Sequence, residues 1–223
     1  MAYPEPFEEV NGERKRGIQI TVVTIVVLAT LFVGGFFWAF TRERVLSQEE
    51  LQANGALLFE TARKLPAFSL SNDKGEAVDA TWFEGQWDIV FFGFTFCPDV
   101  CPTTLALLKQ YYEQLTPEQR SDTRIVLASV DPARDTVSQL SQYLSFFHED
   151  FRGVTGEFLE VHRFATGLGA PFNKVPGGGE NYLVDHSGNV ALINPNGHFV
   201  GILKAPISVE QINRVMPTFR ALR

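Results

Sequence analysis

The chain has 223 residues, 45% of them hydrophobic, a formal charge of −7 and two cysteines. That length suits one domain of ordinary size plus an appendage, and the acidic balance argues against a surface built for nucleic acid. Twenty Phe against five Tyr and three Trp supply large apolar bodies for a core and for a membrane segment.

Residues 1–13 are acidic and carry two prolines, a composition that favours disorder. From Ile18 to Phe40 no side chain is charged. At helical rise this run covers about 34 Å, enough for a hydrocarbon core of roughly 30 Å. It exceeds the apolar core of a signal peptide, and no small-residue cleavage site follows Phe40. Trp38 and its Phe neighbours suit a membrane interface. Arg14, Lys15 and Arg16 precede the run, while Arg42 and Arg44 follow it with Glu43 between them. The basic excess makes residues 1–17 a cytoplasmic tail, 18–40 a single transmembrane anchor, and leaves the remainder outside. A buried core helix is the competing reading.

Ser47-Gln48-Glu49-Glu50 has the form of an N-cap with an acidic first turn. With Leu51, Leu57, Leu58 and Leu65 it predicts a short helix in a juxtamembrane linker over 41–65, ahead of a domain over 66–223. Phe68-Ser69-Leu70 reads as a strand entering a turn at 72–76. Asp88 to Phe94 is a nearly continuous apolar run, the pattern of a strand covered on both faces. Leu105, Leu107, Leu108, Tyr111, Tyr112 and Leu115 then recur at helical spacing. Thr116-Pro117-Glu118 opens a turn or a second short helix. Ile125 to Val130 is a second buried strand that ends in the polar loop 131–136. Helices are predicted at about 137–147 and 157–168.

The loop 171–180 holds Gly177-Gly178-Gly179, which lacks the Gly-Lys-Ser/Thr ending of a phosphate loop and reads as a connector. Tyr182 to Val184 and Asn189 to Ile193 read as strands. Asn194-Pro195-Asn196-Gly197 is a hairpin turn, Phe199 to Leu203 the returning strand, and Ser208 to about Met216 the last helix. Strand, helix, strand, helix, then a hairpin and a helix is a thioredoxin-like α/β order: a central mixed sheet flanked by helices, here behind one N-terminal transmembrane helix.

Both cysteines fall where the first buried strand turns into a helix, in Phe94-Thr95-Phe96-Cys97-Pro98-Asp99-Val100-Cys101-Pro102-Thr103-Thr104-Leu105. With Cys97 in the first turn, Cys101 lies one turn on and on the same face. A helix N-terminus favours negative charge and so stabilises thiolates. An i, i+4 pair has Cα atoms about 6 Å apart, within the roughly 4.4–6.8 Å range of a disulfide. The pair can therefore close a redox-active disulfide or hold a soft metal ion. A structural bridge is the plain alternative, although such a bridge contributes most when it closes a long loop. The spacing excludes C-x-x-C-H haem attachment.

Among the four histidines, His148 sits at a helix end, His162 on a helix beside Arg163, and His198 after the Asn-Gly turn, all with surface readings. His186 stands just before the hairpin, where a thioredoxin-like sheet brings a loop over the cysteine turn. It is the candidate third ligand. Two thiolates and an imidazole suit Cu(I), which accepts trigonal sites rich in sulfur. Structural zinc takes four ligands and finds no third cysteine, while an open catalytic zinc site suits an exported thiol pair less well.

The cysteine segment, then Val130-Asp131-Pro132-Ala133-Arg134-Asp135-Thr136, then Tyr182-Leu183-Val184-Asp185-His186-Ser187, resemble the Sco/SenC proteins. These are membrane-anchored copper proteins of thioredoxin-like fold that serve assembly of the copper A centre in cytochrome c oxidase. The resemblance runs from about Leu65 to Met216, with the single anchor ahead of it. It implies that Cys97, Cys101 and His186 are copper ligands, for Cu(I) first and Cu(II) second. It implies three partners: the oxidase subunit carrying copper A, a copper donor protein, and a thioredoxin-like reductant. It places the domain on the outer, periplasmic side of the inner membrane. Asp131 and Asp135 match the family's acidic loop, where partner contact and helix capping by Asp135 are the two readings. The expected function is a copper metallochaperone rather than an enzyme. The alternative is a thiol-disulfide reductase acting on the oxidase subunit's copper-ligand cysteines. A redox or copper sensor needs a signalling partner the sequence does not name, and a peroxidase has only fold analogy behind it.

The topology is open to a direct measurement. A reporter that is active only after export, fused at Arg223, is expected to be active. Activity there from a reporter that works only in the cytoplasm would reverse the orientation.

Overall fold

The computed structural model describes residues 12–41, 45–177 and 179–221. The tail before residue 12, with most of its expected disorder, lies outside the described residues, as do the charged flank 42–44 and the central glycine of the triple. The chain divides into two units, 1–44 and 45–223.

The first unit is one helix, α1 (Gly12–Thr41). Its stretch Lys15–Ala39 is long and apolar enough to cross a membrane, and none of that stretch is buried, which counts against a core helix. The hydroxyls of Thr21, Thr24 and Thr30 donate to the carbonyls four residues back, at 3.0, 2.8 and 2.8 Å. The three threonine hydroxyls inside the apolar run are thus satisfied within their own helix, as a hydrocarbon environment requires.

In the second unit, Ser47 caps α2 (Gln48–Ala53) in a full capping box with Glu50. Asn54 closes that helix and Gly55 follows in the left-handed region at φ 69°. The chain then enters β1 (Ala56–Lys64). The short helix expected from the Ser47 cap through Leu65, in the 41–65 linker, is therefore a helix of six residues followed by a strand, because Asn54-Gly55 stops the first element. Leu57 and Leu58 lie in the strand, so the sheet begins ahead of residue 66.

Next come β2 (Leu70–Asn72), β3 (Ala77–Val78) and β4 (Trp87–Gly93). The strand expected at Phe68 starts two residues later. Phe68 packs its ring against Phe83 and Phe164 instead. Then follow α3 (Val100–Gln114), α4 (Pro117–Ser121) and β5 (Thr123–Ser129). The alternation continues with α5 (Val137–Ser145), β6 (Arg152–Thr155) and α6 (Phe158–Gly167). Two short strands, β7 (Phe172–Lys174) and β8 (Val184–His186), precede β9 (Val190–Ile193), β10 (His198–Leu203) and α7 (Val209–Ala221). The last helix runs past Met216 through Pro217, since Thr218 and Phe219 are both buried.

Eight strands form one mixed sheet in the order β1-β10-β9-β4-β5-β6-β2-β3. The β4–β5 and β5–β6 pairs are parallel and the other pairs antiparallel. Every residue of β4 is buried. Since alternate side chains point to opposite faces, both faces of the sheet are covered at its centre. Strands β7 and β8 form a separate two-stranded sheet. The first of them lies inside the stretch 171–180 that the sequence marked as loop.

The end of β4 remote from the cysteines carries a buried charge. Asp88 is fully buried and pairs across the parallel register with Arg124, whose Nη2 donates to Oδ2 at 3.0 Å. The same nitrogen donates to the Trp82 carbonyl at 2.7 Å, and the guanidinium stacks 3.4 Å from the Trp82 ring centre. Burial pushes the Asp88 carboxyl up from an ordinary value near 3.8 to about 7, while Arg124 holds it down. A carboxyl whose folded value is raised binds a proton on folding, so its contribution to stability declines as pH climbs from about 4 to 7. Arg124→Met removes the counter-charge and raises that value further. The variant is expected to lose about 3–5 kcal/mol at pH 8, and less at pH 5, where Asp88 folds as the neutral acid. Thermal unfolding of the full chain in detergent at the two pH values measures this. Equal losses would show that the Asp88 charge is not the source.

Candidate metal centre

The central strand delivers the site. Its last residue, Gly93, accepts a hydrogen bond from the Val130 amide at 2.9 Å, which joins the exits of β4 and β5. A Cβ at Gly93 would lie 2.9 Å from Cys101 Sγ and 2.9 Å from the Phe91 ring. Glycine is thus required because the buried sulfur packs on this backbone, a close approach of the kind glycine at a strand end serves. The sequence offered that signal in the bare Gly93 of an otherwise bulky run.

From Phe94 the chain turns, with the Cys97 amide donating to the Phe94 carbonyl at 3.2 Å. The helix α3 begins only at Val100, so Cys97 precedes it and is not in its first turn. The reason is local: Pro98 and Asp99 hold the chain outside helical geometry, with Asp99 at φ −142°. Asp99 stands at the cap position but makes no side-chain cap bond. Instead the Cys101 amide donates to Cys97 Sγ at 3.5 Å. The sulfur takes the place of a capping oxygen, where the exposed amides of the helix end favour negative charge. The two thiols differ in access: Cys101 is fully buried and Cys97 partly exposed. Burial pushes the Cys101 thiol well up, and the hydrogen bond with Cys97 adds to that rise.

His186 arrives from the small sheet. It ends β8, paired with Phe172 of β7, rather than sitting in a loop. Its ring meets those of Phe91 and Phe94 edge to face, at 6.1 and 5.9 Å between centres. Nδ1 lies 3.0 Å from the Ser187 carbonyl. A carbonyl only accepts, so Nδ1 carries the proton and Nε2 keeps its lone pair. That lone pair faces Cys101 Sγ at 3.8 Å. The donor atoms of Cys97, Cys101 and His186 all lie within 4.8 Å of one another. Two sulfurs and an imidazole whose proton is engaged elsewhere fit a soft ion. Cys97 and His186 open on a cleft of about 430 Å³ walled by Phe94, Pro98, Val100 and Leu183.

The other histidines stay apart from this cluster. His148 Nδ1 accepts from the Asp150 amide and its ring stacks on Phe151. His162 packs against Phe158 and Phe172, and His198 opens β10. The acidic loop after β5 points inward: Asp131 and Asp135 are 3% and 1% exposed, so neither offers a carboxylate to a partner's surface. Nor does Asp135 cap α5, because Thr136 does so by accepting from the Gln139 amide. Asp135 accepts instead from the Thr95 amide and hydroxyl and from Ser129 Oγ. Burial raises its carboxyl, and those bonds pull the other way.

Fold and site together define a thioredoxin-like domain in which two thiols and an imidazole converge in a donor set that suits a soft metal. Residues 58–219 match the SCO1/SenC family. A Stutzerimonas stutzeri protein named for copper binding is 40% identical over 166 residues, spanning 74% of this chain and 81% of that protein. The Homo sapiens mitochondrial SCO2 homolog is 33% identical over 196 residues, spanning 85% of this chain and 73% of its own. Among solved structures, copper-bound Arabidopsis thaliana ScoI superposes with a TM-score of 0.66 at 32% identity, covering 71% of this chain and 99% of that one. The chain belongs to the SCO1/SenC family.

Gly93→Ala tests the packing of the buried sulfur. Overpacking of this kind costs about 1–3 kcal/mol, and the new methyl group is expected to displace Cys101 from Cys97. Thermal unfolding and the disulfide equilibrium of the pair with glutathione should both shift. Parent-like values for both would show that Cys101 does not rest on the strand end.

Proposed function

We propose that the chain is a membrane-anchored copper metallochaperone that carries copper as cargo and passes it by ligand exchange to the copper A centre of cytochrome c oxidase. The observation that carries this reading is the convergence of Cys97, Cys101 and His186 donor atoms within 4.8 Å at a cleft. The copper-bound structures of family relatives support it. Cu(I) is the favoured cargo, since thiolates and an imidazole in a three-donor set match its preferences. Cys97 and His186, at the cleft, are the ligands an incoming donor group reaches, while buried Cys101 holds the inner side. Residues 1–17 lie in the cytoplasm, 18–40 anchor the chain, and the domain faces the periplasm with a copper donor protein and a thioredoxin-like reductant as further partners. The reductant is needed because closing the Cys97–Cys101 disulfide removes both thiolates.

A second reading rests on the same two sulfurs. As a reductase, the pair would give two electrons and two protons to a partner disulfide, releasing two partner thiols and leaving the Cys97–Cys101 disulfide. The partly exposed Cys97 is the attacking thiol that this reaction needs.

His186→Ala separates the two. The disulfide needs only the sulfurs, so its potential is expected to move by tens of millivolts at most, where about 30 mV corresponds to roughly 1.4 kcal/mol. Cu(II), which favours nitrogen among its ligands, is expected to be nearly lost, and Cu(I) held less tightly on two thiolates. Parent protein with the disulfide closed should bind no copper. In cells lacking the native protein, with copper limiting and expression matched, the variant should fail to restore copper A assembly. Full restoration would overturn the delivery reading and put the reductase ahead.

A further inference from the structure

The ligands reach the centre on two separate supports. The cysteine loop continues from β4 of the main sheet, whereas His186 ends β8 of a two-stranded sheet that shares no ladder with it. Three residues, 187–189, link His186 to Val190 of β9, which pairs with Phe91 of β4, so the main sheet tethers the histidine arm at its C-terminal end while the arm's own ladder lies outside it. On its N-terminal side, before His186, the arm is joined to the cysteine loop by side-chain contacts.

The loop after β5 touches both supports. On the cysteine side, Asp135 accepts from the Thr95 amide at 3.1 Å and from its hydroxyl at 2.7 Å, two residues before Cys97. On the histidine side, Asp131 accepts from the Tyr182 hydroxyl at 2.6 Å, four residues before His186. Arg134 spans the two. Its Nε donates to Asp131 Oδ2, and its Nη2 donates to the Tyr182 carbonyl at 2.9 Å. Its guanidinium carbon lies 3.7 Å from the Tyr182 ring centre, 4.9 Å from that of Phe96 and 5.7 Å from that of Phe94. The side chain is only 16% exposed and its carboxylate partner 4%. A planar fork with a fixed partner suits such a bridge, because it can donate at its edge and stack on its faces at once. A lysine ammonium can pair with Asp131 but cannot also stack and donate to the carbonyl.

We propose that Arg134, oriented by Asp131, is a positioning residue that fastens the histidine arm to the cysteine loop and so sets the separation of imidazole and thiol. It touches no ligand and acts through Tyr182 and Phe96. The consequence for copper rests on the metallochaperone reading, but the mechanical part does not.

The test compares the full chain in detergent with Arg134→Lys, which keeps the charge beside buried Asp131. Without copper, amide hydrogen exchange at 182–186 is expected to speed up about tenfold, while β4 and β5 keep parent protection. Affinity for copper ions is expected to fall about 10–100-fold, the usual effect of removing a residue that orients a ligand. The disulfide equilibrium of Cys97 and Cys101 with glutathione should stay within about threefold, since Asp135 still holds the cysteine loop at Thr95 and Cys101 still packs on Gly93. Asp131→Asn added to Arg134→Lys should lower affinity no further, as expected if the two act as one unit. Unchanged exchange at 182–186 would overturn the proposal, as would a loss of protection spread evenly over β4 and β5. If the lysine variant does not fold, Tyr182→Leu removes the ring and hydroxyl contacts and is read in the same way. Absence of copper binding by the parent would defeat the metallochaperone reading alone, because the exchange comparison still decides the clamp.

Discussion

The burial of β4 is the constraint on which the rest depends. It is paired on both edges, parallel to β5 and antiparallel to β9, and all seven of its residues are buried. Such a strand has no freedom to shift register, because a one-residue slip would exchange the faces of every side chain. Its two ends are therefore fixed points. At one, the charge of Asp88 is held by Arg124 and the Trp82 ring. At the other, Gly93 lets a cysteine sulfur rest against the backbone. The ends of β4 and β5 lie side by side, so the loop that follows each strand meets the other. This is the crevice at the carboxyl ends of parallel strands where open α/β sheets place their sites.

Within that crevice the sulfurs play unequal parts. Cys101 is enclosed, and burial favours its neutral thiol, whereas Cys97 caps the helix end at the cleft. A closed apolar wall on one sulfur and an open helix terminus on the other give a thiol pair with an inner and an outer member. Ligand exchange and disulfide exchange both start from an accessible thiolate. The same asymmetry therefore fits both proposed readings, copper delivery and reductase chemistry, alike. What distinguishes the two is the imidazole, which a disulfide does not need.

The sheet centre was legible because its physics is local: apolar runs at 88–94 and 125–130 mark strands covered on both faces, and the observed strand ends shift by two residues at most. The cysteine pair was legible from its place between strand and helix. Its geometry was not, since i, i+4 spacing fits a helical turn and hides that Pro98-Asp99 delays the helix to Val100. β8 is three residues long and β7 likewise, too short for alternation to show. Their pairing depends on residues fourteen apart in sequence, Phe172 and His186, so the support of the histidine could not be read from either segment alone. The leucines at 57 and 58 misled for a different reason. A helical spacing from Leu51 passes through Asn54-Gly55, and the turn chemistry there outweighs the periodicity.

The acidic loop shows how a motif can be noticed while its role is inverted. Two carboxylates and a guanidinium within five residues invite a surface reading, because charged groups are seldom fully buried unless paired. Here they are paired. Asp135 is satisfied by Thr95 and Ser129, and Asp131 by Tyr182 and Arg134, so each charge is bound to backbone or side chain on one support of the centre. A buried charged network of this kind adds little to stability by itself, because desolvation offsets much of the attraction. Its value lies in geometry: hydrogen bonds to a charge are directional, and apolar packing around His186 is not. In a centre assembled from two sheets, the apolar contacts of Phe91 and Phe94 can hold the ring in place. They leave its distance from sulfur soft. The polar network supplies the missing direction at the point where an arm outside the main sheet's ladder is set against the cysteine loop.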